Sequence, residues 1–157
     1  MTVAGWILFG LLLFVFFNNL LEKQANPNQQ VETVYRGDMR EVVLQRNKFG
    51  HYVTSGRING QEVVFLVDTG ATHVAIPENI ANRLGLKKGQ SFRARTANGV
   101  TTAWFTRLDS VSIGDISLRD VKASILSNAG TDEVLLGMSF LKHFELAQKG
   151  NTLMIRQ

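Results

Sequence analysis

No cysteine occurs in the 157 residues, so neither a disulfide framework nor a thiolate metal site is available. The chain has three histidines, His51, His73 and His143, and their positions give no metal-ligand spacing. Internal repeats and low-complexity tracts are missing too. The formal net charge of +4 comes from scattered lysines and arginines with no basic block, which describes a solvated surface and not a nucleic-acid footprint. Charge is absent altogether from residues 3 to 21, VAGWILFGLLLFVFFNNLL.

That uncharged stretch is the first thing the sequence contains in excess. As a helix it would extend about 28 Å, close to the hydrocarbon thickness of a bilayer. A cleaved signal peptide would want a basic residue ahead of the apolar run and an Ala-x-Ala site behind it, and neither is found. A buried core helix is seldom apolar on every face. Residues 1–21 are therefore expected to be an uncleaved transmembrane anchor. The nearest charges, Glu22 and Lys23, leave its orientation open, with only a weak positive-inside lean.

Residues 22–38, EKQANPNQQVETVYRGD, are polar, contain Pro27 and show no sustained periodicity. They read as a polar linker with a span of about 20 to 25 Å. Residues 39–157 form one domain punctuated by turn signals. Asn59-Gly60, Asn98-Gly99, Gly114-Asp115 and Lys149-Gly150-Asn151 each separate β-prone runs, and Asn-Gly between such runs is the strongest local hairpin signal. Two short helices interrupt the strands, one opened by Pro77 and ended by Gly85, the other over Met138 to His143. The expectation is a mainly β domain with one modest core.

Within it, Phe65-Leu66-Val67 runs as an apolar strand into Asp68-Thr69-Gly70-Ala71. A carboxylate at the end of such a strand is costly unless it is paired or useful. Glycine permits the tight turn that would expose Asp68 at the floor of a cleft. Acid and base chemistry needs a second proton-handling group, and the chain offers no second Asp-Thr-Gly. Two-fold symmetry can supply it, because a residue near the axis meets its own copy. Two carboxylates sharing one proton can activate water and protonate a carbonyl oxygen, which is peptide hydrolysis without a metal or cofactor.

Phe65 to Ala71 resembles the catalytic signature of the retropepsin-like aspartic proteases. Val134-Leu135-Leu136-Gly137 is similar to the family's second motif, two apolar residues and a glycine ahead of the C-terminal helix. The likeness extends over residues 40 to 157 and is greatest to bacterial membrane-anchored members, with Thr96-Ala97-Asn98-Gly99 and the run Leu135 to Leu141 as further matches. It implies a closed β barrel, a homodimer, and Asp68 as the catalytic acid of each subunit. Thr69 would then bond across the axis, Gly70 and Ala71 would shape the cleft floor, and Thr96 to Gly99 would form a flap over an extended peptide. Two departures stand out: Thr72 occupies a position where many viral members carry an acid, and the flap is not rich in glycine. The resemblance also implies a single-pass protein of the bacterial inner membrane with its protease domain in the periplasm.

Competing readings exist for each feature. Asp68 could be a turn acid capping the N–H groups of Ala71 or Thr72. His73 suits a packing role better than that of a base, and Trp104 and Phe105 suit core or pocket equally. A catalytically silent dimerisation or peptide-binding module on a membrane tether would keep the fold without the chemistry. A phosphate-binding turn of a nucleotide hydrolase would need a longer chain and metal-binding acids.

Overall fold

The computed structural model describes residues 3–96 and 99–157. Helix α1 covers Val3–Ala25 and has no buried residue. It exceeds the apolar stretch by one turn because Glu22, Lys23, Gln24 and Ala25 are all good helix formers. Its length and apolar composition suffice to cross a membrane.

The strands that follow are β1 (Thr33–Arg36), β2 (Met39–Gln45), β3 (Val53–Ile58), β4 (Gln61–Val67) and β5 (Val74–Pro77). Helix α2 (Glu78–Arg83), β6 (Ser91–Thr96), β7 (Gly99–Ile113) and β8 (Ile116–Leu126) come next. The rest comprises β9 (Val134–Leu136), α3 (Met138–Leu141), β10 (Glu145–Lys149) and β11 (Thr152–Arg156). They form a four-stranded sheet, β1-β2-β11-β10, and a seven-stranded sheet, β3-β4-β9-β5-β8-β7-β6.

The mainly β, retropepsin-like class and the short helices match the sequence reading, but the closed barrel does not. The larger sheet curls until β3 meets β7, yet only Arg57↔Ser112 and Ile58↔Val111 pair there, so closure is a short seam. The remaining apolar interior is covered by the separate four-stranded sheet, whose Val42, Leu44, Leu153 and Ile155 pack into the same core as Phe65, Ile113, Ile125 and Phe140.

The hairpin signals act as their chemistry requires. Asn59 and Gly60 both take positive φ, 50° and 79°, the conformation of a type I′ turn. Gly114 (φ 54°) and Gly150 (φ 58°) turn β7 into β8 and β10 into β11. Asp109 interrupts the apolar pattern without ending a strand, because its neighbours Leu108 and Ser110 both stay paired with β8.

Residues 22–38 depart from an irregular tether. Asn26 and Asn28 are 8 % and 6 % exposed, although nothing in their polarity would send them inside. Hydrogen bonds substitute for water. Asn28 Nδ2 donates to the carbonyls of Val53 (2.7 Å) and Gln45 (2.9 Å), and its Oδ1 accepts from Gln45 N (2.7 Å). Asn26 Nδ2 donates to Ser55 Oγ at 3.1 Å. Strand β1 then pairs with β2 from Thr33↔Val42 to Arg36↔Met39.

Candidate active site

Strand β9, three residues long, lies between β4 and β5. It runs parallel to β4 (Phe65↔Val134, Leu66↔Leu135, Val67↔Leu136) and meets β5 at Ala75↔Leu135. The chain from Asp68 to His73 must therefore bridge from β4 to β5 across the end of β9. That bridge is tied down by backbone: Asp68 N donates to Leu136 O (3.2 Å), Met138 N to Ala71 O (2.8 Å) and Ser139 N to Thr72 O (2.9 Å). The two motifs, 66 residues apart at Asp68 and Val134, thus form one structural unit.

Glycine at 137 is a packing requirement. A Cβ there would lie 2.2 Å from His73 O and 2.6 Å from Ala71 O, both backbone atoms of the bridge. The Leu-Leu-Gly motif supplies a strand and then a residue with no side chain, so that the Asp68 turn can rest on it.

Asp68 itself is half-buried, and its Oδ1 accepts a hydrogen bond from Gly70 N at 2.8 Å. Ala71 N donates to Asp68 O at 3.2 Å and completes the turn. The Asp68 side chain thus caps Gly70 N rather than the N–H groups of Ala71 or Thr72, and among the described residues that contact uses one carboxyl oxygen, Oδ1. A Cβ at Gly70 would come within 3.1 Å of Asp68 Oδ1, so glycine keeps the carboxylate close to the N–H that holds it. Thr69 and Gly70 are exposed and Ala71 is half-buried.

Above this turn is a groove of about 600 Å³ lined by Asp68, Ala71, His73, Phe92, Phe105 and Leu135 among others. Among the described residues, Asp68 is its only acid. Phe92 stacks on Phe105 at 4.2 Å, and the His73 ring meets Phe105 edge-on at 5.9 Å. His73 thus packs against an aromatic pair. Phe105 takes the pocket alternative, while Trp104 lies half-buried with Lys88 Nζ 3.8 Å from its ring centre.

The β6–β7 hairpin forms one wall. Thr96 pairs with Gly99, its Oγ1 donating to Gly99 O at 2.9 Å, and Thr96, Arg93 and Arg95 line the groove. The other two expected flap residues, Ala97 and Asn98, lie outside the described residues. Asp68, Gly70, Ala71 and Thr96 therefore share one groove, with Thr69 exposed beside it.

Sequence reasoning missed Phe92, whose alternation in SFRART was an available signal, and Ser139, which gave none. Ser139 Oγ accepts from Val74 N (2.9 Å) and donates to Lys122 O (2.7 Å), joining the end of the Asp68 bridge to β8. Ser139→Ala would leave the Val74 N–H without its partner, and a loss of about 1–3 kcal/mol is expected in urea denaturation.

The family model described as gag-polyprotein putative aspartyl protease matches residues 54–143. An uncharacterized protein from the cobV 5′ region of a Sinorhizobium species is 37 % identical over 135 residues, covering 84 % of this chain and 58 % of its own. An uncharacterized protein of Rickettsia prowazekii is 33 % identical over 112 residues, covering 69 % and 47 %. The chain thus spans about half the length of the curated relatives it matches. The crystal structure of a retropepsin-like aspartic protease from Rickettsia conorii superposes with a TM-score of 0.63 at 26 % identity, over 81 % of this chain and 94 % of that one. With a family match across both motifs and the groove between them, the chain belongs to the retropepsin-like aspartic protease family.

Proposed function

We propose that the protein is a membrane-anchored aspartic endopeptidase whose active site forms between two copies of the chain. One observation carries the reading: a peptide-sized groove holds one half-buried carboxyl group, Asp68, and no other acid among the described residues. Hydrolysis by carboxyl groups requires a pair, one taking a proton from water and one giving a proton to the scissile carbonyl. Two-fold association supplies the second copy. In this reading Thr69, exposed next to Asp68, bonds across that axis, Gly70 and Ala71 shape the floor, and Thr96 to Gly99 cover the peptide.

The substrate is a protein segment in extended conformation, lying along the groove beside the β6–β7 hairpin. Apolar side chains fit the Phe92, Phe105 and Leu135 wall, and neither cofactor nor nucleic acid enters the scheme. Residues 1–21 serve as the anchor, residues 22–38 as the connection, and residues 39–157 as the protease domain. The domain faces the periplasm from a bacterial inner membrane.

Incubating the full chain in detergent with an unfolded protein at pH 4 to 7 tests the enzyme reading. Fragments seen by mass spectrometry with wild type and absent with Asp68→Asn are expected. No cleavage that depends on Asp68 would favour a peptide-binding module instead. A compartment-sensitive reporter fused after Gln157 tests the side of the membrane: a periplasm-active reporter is expected, and a cytoplasm-active one would reverse the orientation.

A further inference from the structure

Helix α1 is fastened to the domain through the loop between β2 and β3. Asn47 Nδ2 donates to the carbonyl of Ala25 (2.8 Å), one of the last carbonyls of the helix, and Lys48 Nζ donates to Gln24 Oε1 (2.9 Å). The same Asn47 builds the loop. Its Oδ1 accepts from the backbone N–H groups of Phe49 (3.0 Å) and His51 (2.9 Å), and its own N–H donates to His51 O (2.8 Å). Asn26 and Asn28 then lock the next residues onto β3, with Ser55 N donating to Asn28 O at 3.0 Å. Residues 24 to 28 are thus bonded to the domain directly where the helix ends.

In the same loop stands Phe49, 64 % exposed, with Lys48 Nζ 5.0 Å from its ring centre. An exposed aromatic beside a lysine is a poor arrangement for water and a good one for a lipid headgroup layer, where the ring meets acyl chains and the ammonium meets phosphates. The height agrees. If the apolar run ending at Leu21 fills the hydrocarbon, Ala25 lies about 6 Å further along the axis. A headgroup layer is roughly 5–7 Å thick. Asn47 and Lys48 bond the helix at that level.

We propose that the Arg46–His51 loop seats the domain on the bilayer surface, with Lys48 and Phe49 in the headgroup layer. The inference rests on α1 spanning the membrane, as argued above. It has a consequence for the groove. Tyr52, three residues past Phe49, accepts the hydrogen bond of Val67 N at 2.9 Å, so Asp68 stands at the membrane end of its strand. By chain length it lies within roughly 20 Å of Phe49, a distance spanned by about six extended residues. The substrates fitted to such a site are juxtamembrane segments of proteins anchored in the same bilayer.

The chain lacks native cysteine, so single labels are clean. The full chain carrying Phe49→Cys, Gln61→Cys or Leu12→Cys is labelled with an environment-sensitive fluorophore. Each is reconstituted in phosphatidylcholine vesicles containing one-third phosphatidylglycerol, with nitroxide lipids as quenchers. Gln61 opens β4 at the opposite end of the β3–β4 hairpin, about 20 Å from the loop. Quenching by a shallow nitroxide at least threefold stronger at position 49 than at 61 is expected, with position 12 quenched by a deep nitroxide. Equal or absent quenching at 49 and 61, with position 12 quenched, overturns the seat and leaves the anchor standing. An unquenched position 12 overturns the anchor and the seat with it.

Discussion

Gly137→Ala is expected to prevent accumulation of folded protein. The added Cβ would sit 2.2 Å from His73 O, 2.6 Å from Ala71 O and 2.7 Å from His73 C. All three are backbone atoms, so no rotamer change relieves the overlap. The bridge must lift, and lifting it breaks the bonds from Met138 N to Ala71 O and from Ser139 N to Thr72 O. Overpacking together with two lost backbone bonds puts the cost at about 3 kcal/mol or more, a large part of the 5–15 kcal/mol available to a domain of this size. Gly60→Ala serves as the comparison. Its Cβ meets nothing within 4 Å, and only the φ of 79° is strained, so a cost of about 1 kcal/mol is expected. Urea midpoints of the two variants, or soluble yield where Gly137→Ala gives no transition, provide the measurement. Equal stability would mean that the Asp68 turn does not rest on Gly137.

That contrast shows how much of the site the sequence carried. Asp68-Thr69-Gly70 was legible from its local pattern, an apolar run and then residues that permit a tight turn, whereas Leu135-Leu136-Gly137 was legible through its resemblance to the family's second motif. Their physical relation was not legible. It rests on β9, a three-residue strand that pairs in parallel with β4 across 66 residues of chain, and pairing of that kind leaves no mark on the residues between. The hairpins were legible because glycine and asparagine are needed where φ is positive, as at Asn59 and Gly60.

Where hydrogen bonding outweighed hydrophobicity, composition misled. Asn26, Pro27 and Asn28 have the polarity of a linker, yet Asn28 is buried by satisfying three backbone groups at once. Only the partners on β2 and β3 reveal that this is possible. The barrel expectation had the same limit. Inward-facing positions were visible strand by strand, but whether β3 and β7 zip fully or touch at two residue pairs depends on sheet curvature, which no local run encodes. Phe92 shows the intermediate case: its alternation with Arg93 and Arg95 marked a face, and stacking on Phe105 made that face a wall of the groove.

Mixing wild-type chains with inactive Asp68→Asn chains should poison activity, and the size of the loss reports the number of subunits in one active site. The substitution is suited to the purpose. An asparagine carbonyl can accept the Gly70 N–H as the Asp68 Oδ1 does, so the turn is retained while proton transfer is lost. Alone, Asp68→Asn should lower cleavage by about 10²–10⁴-fold, the usual contribution of a positioned acid or base. In mixtures, a site built from two chains needs two intact copies of Asp68. With random pairing, activity per wild-type chain falls to about half in an equal mixture, and to about a tenth with a ninefold excess of variant. The chains must be mixed before folding or equilibrated long enough to exchange, and urea midpoints of the two should agree. Activity per wild-type chain that stays constant across the series would mean that one chain carries a complete site, and the paired-carboxyl mechanism would then be wrong for this protein.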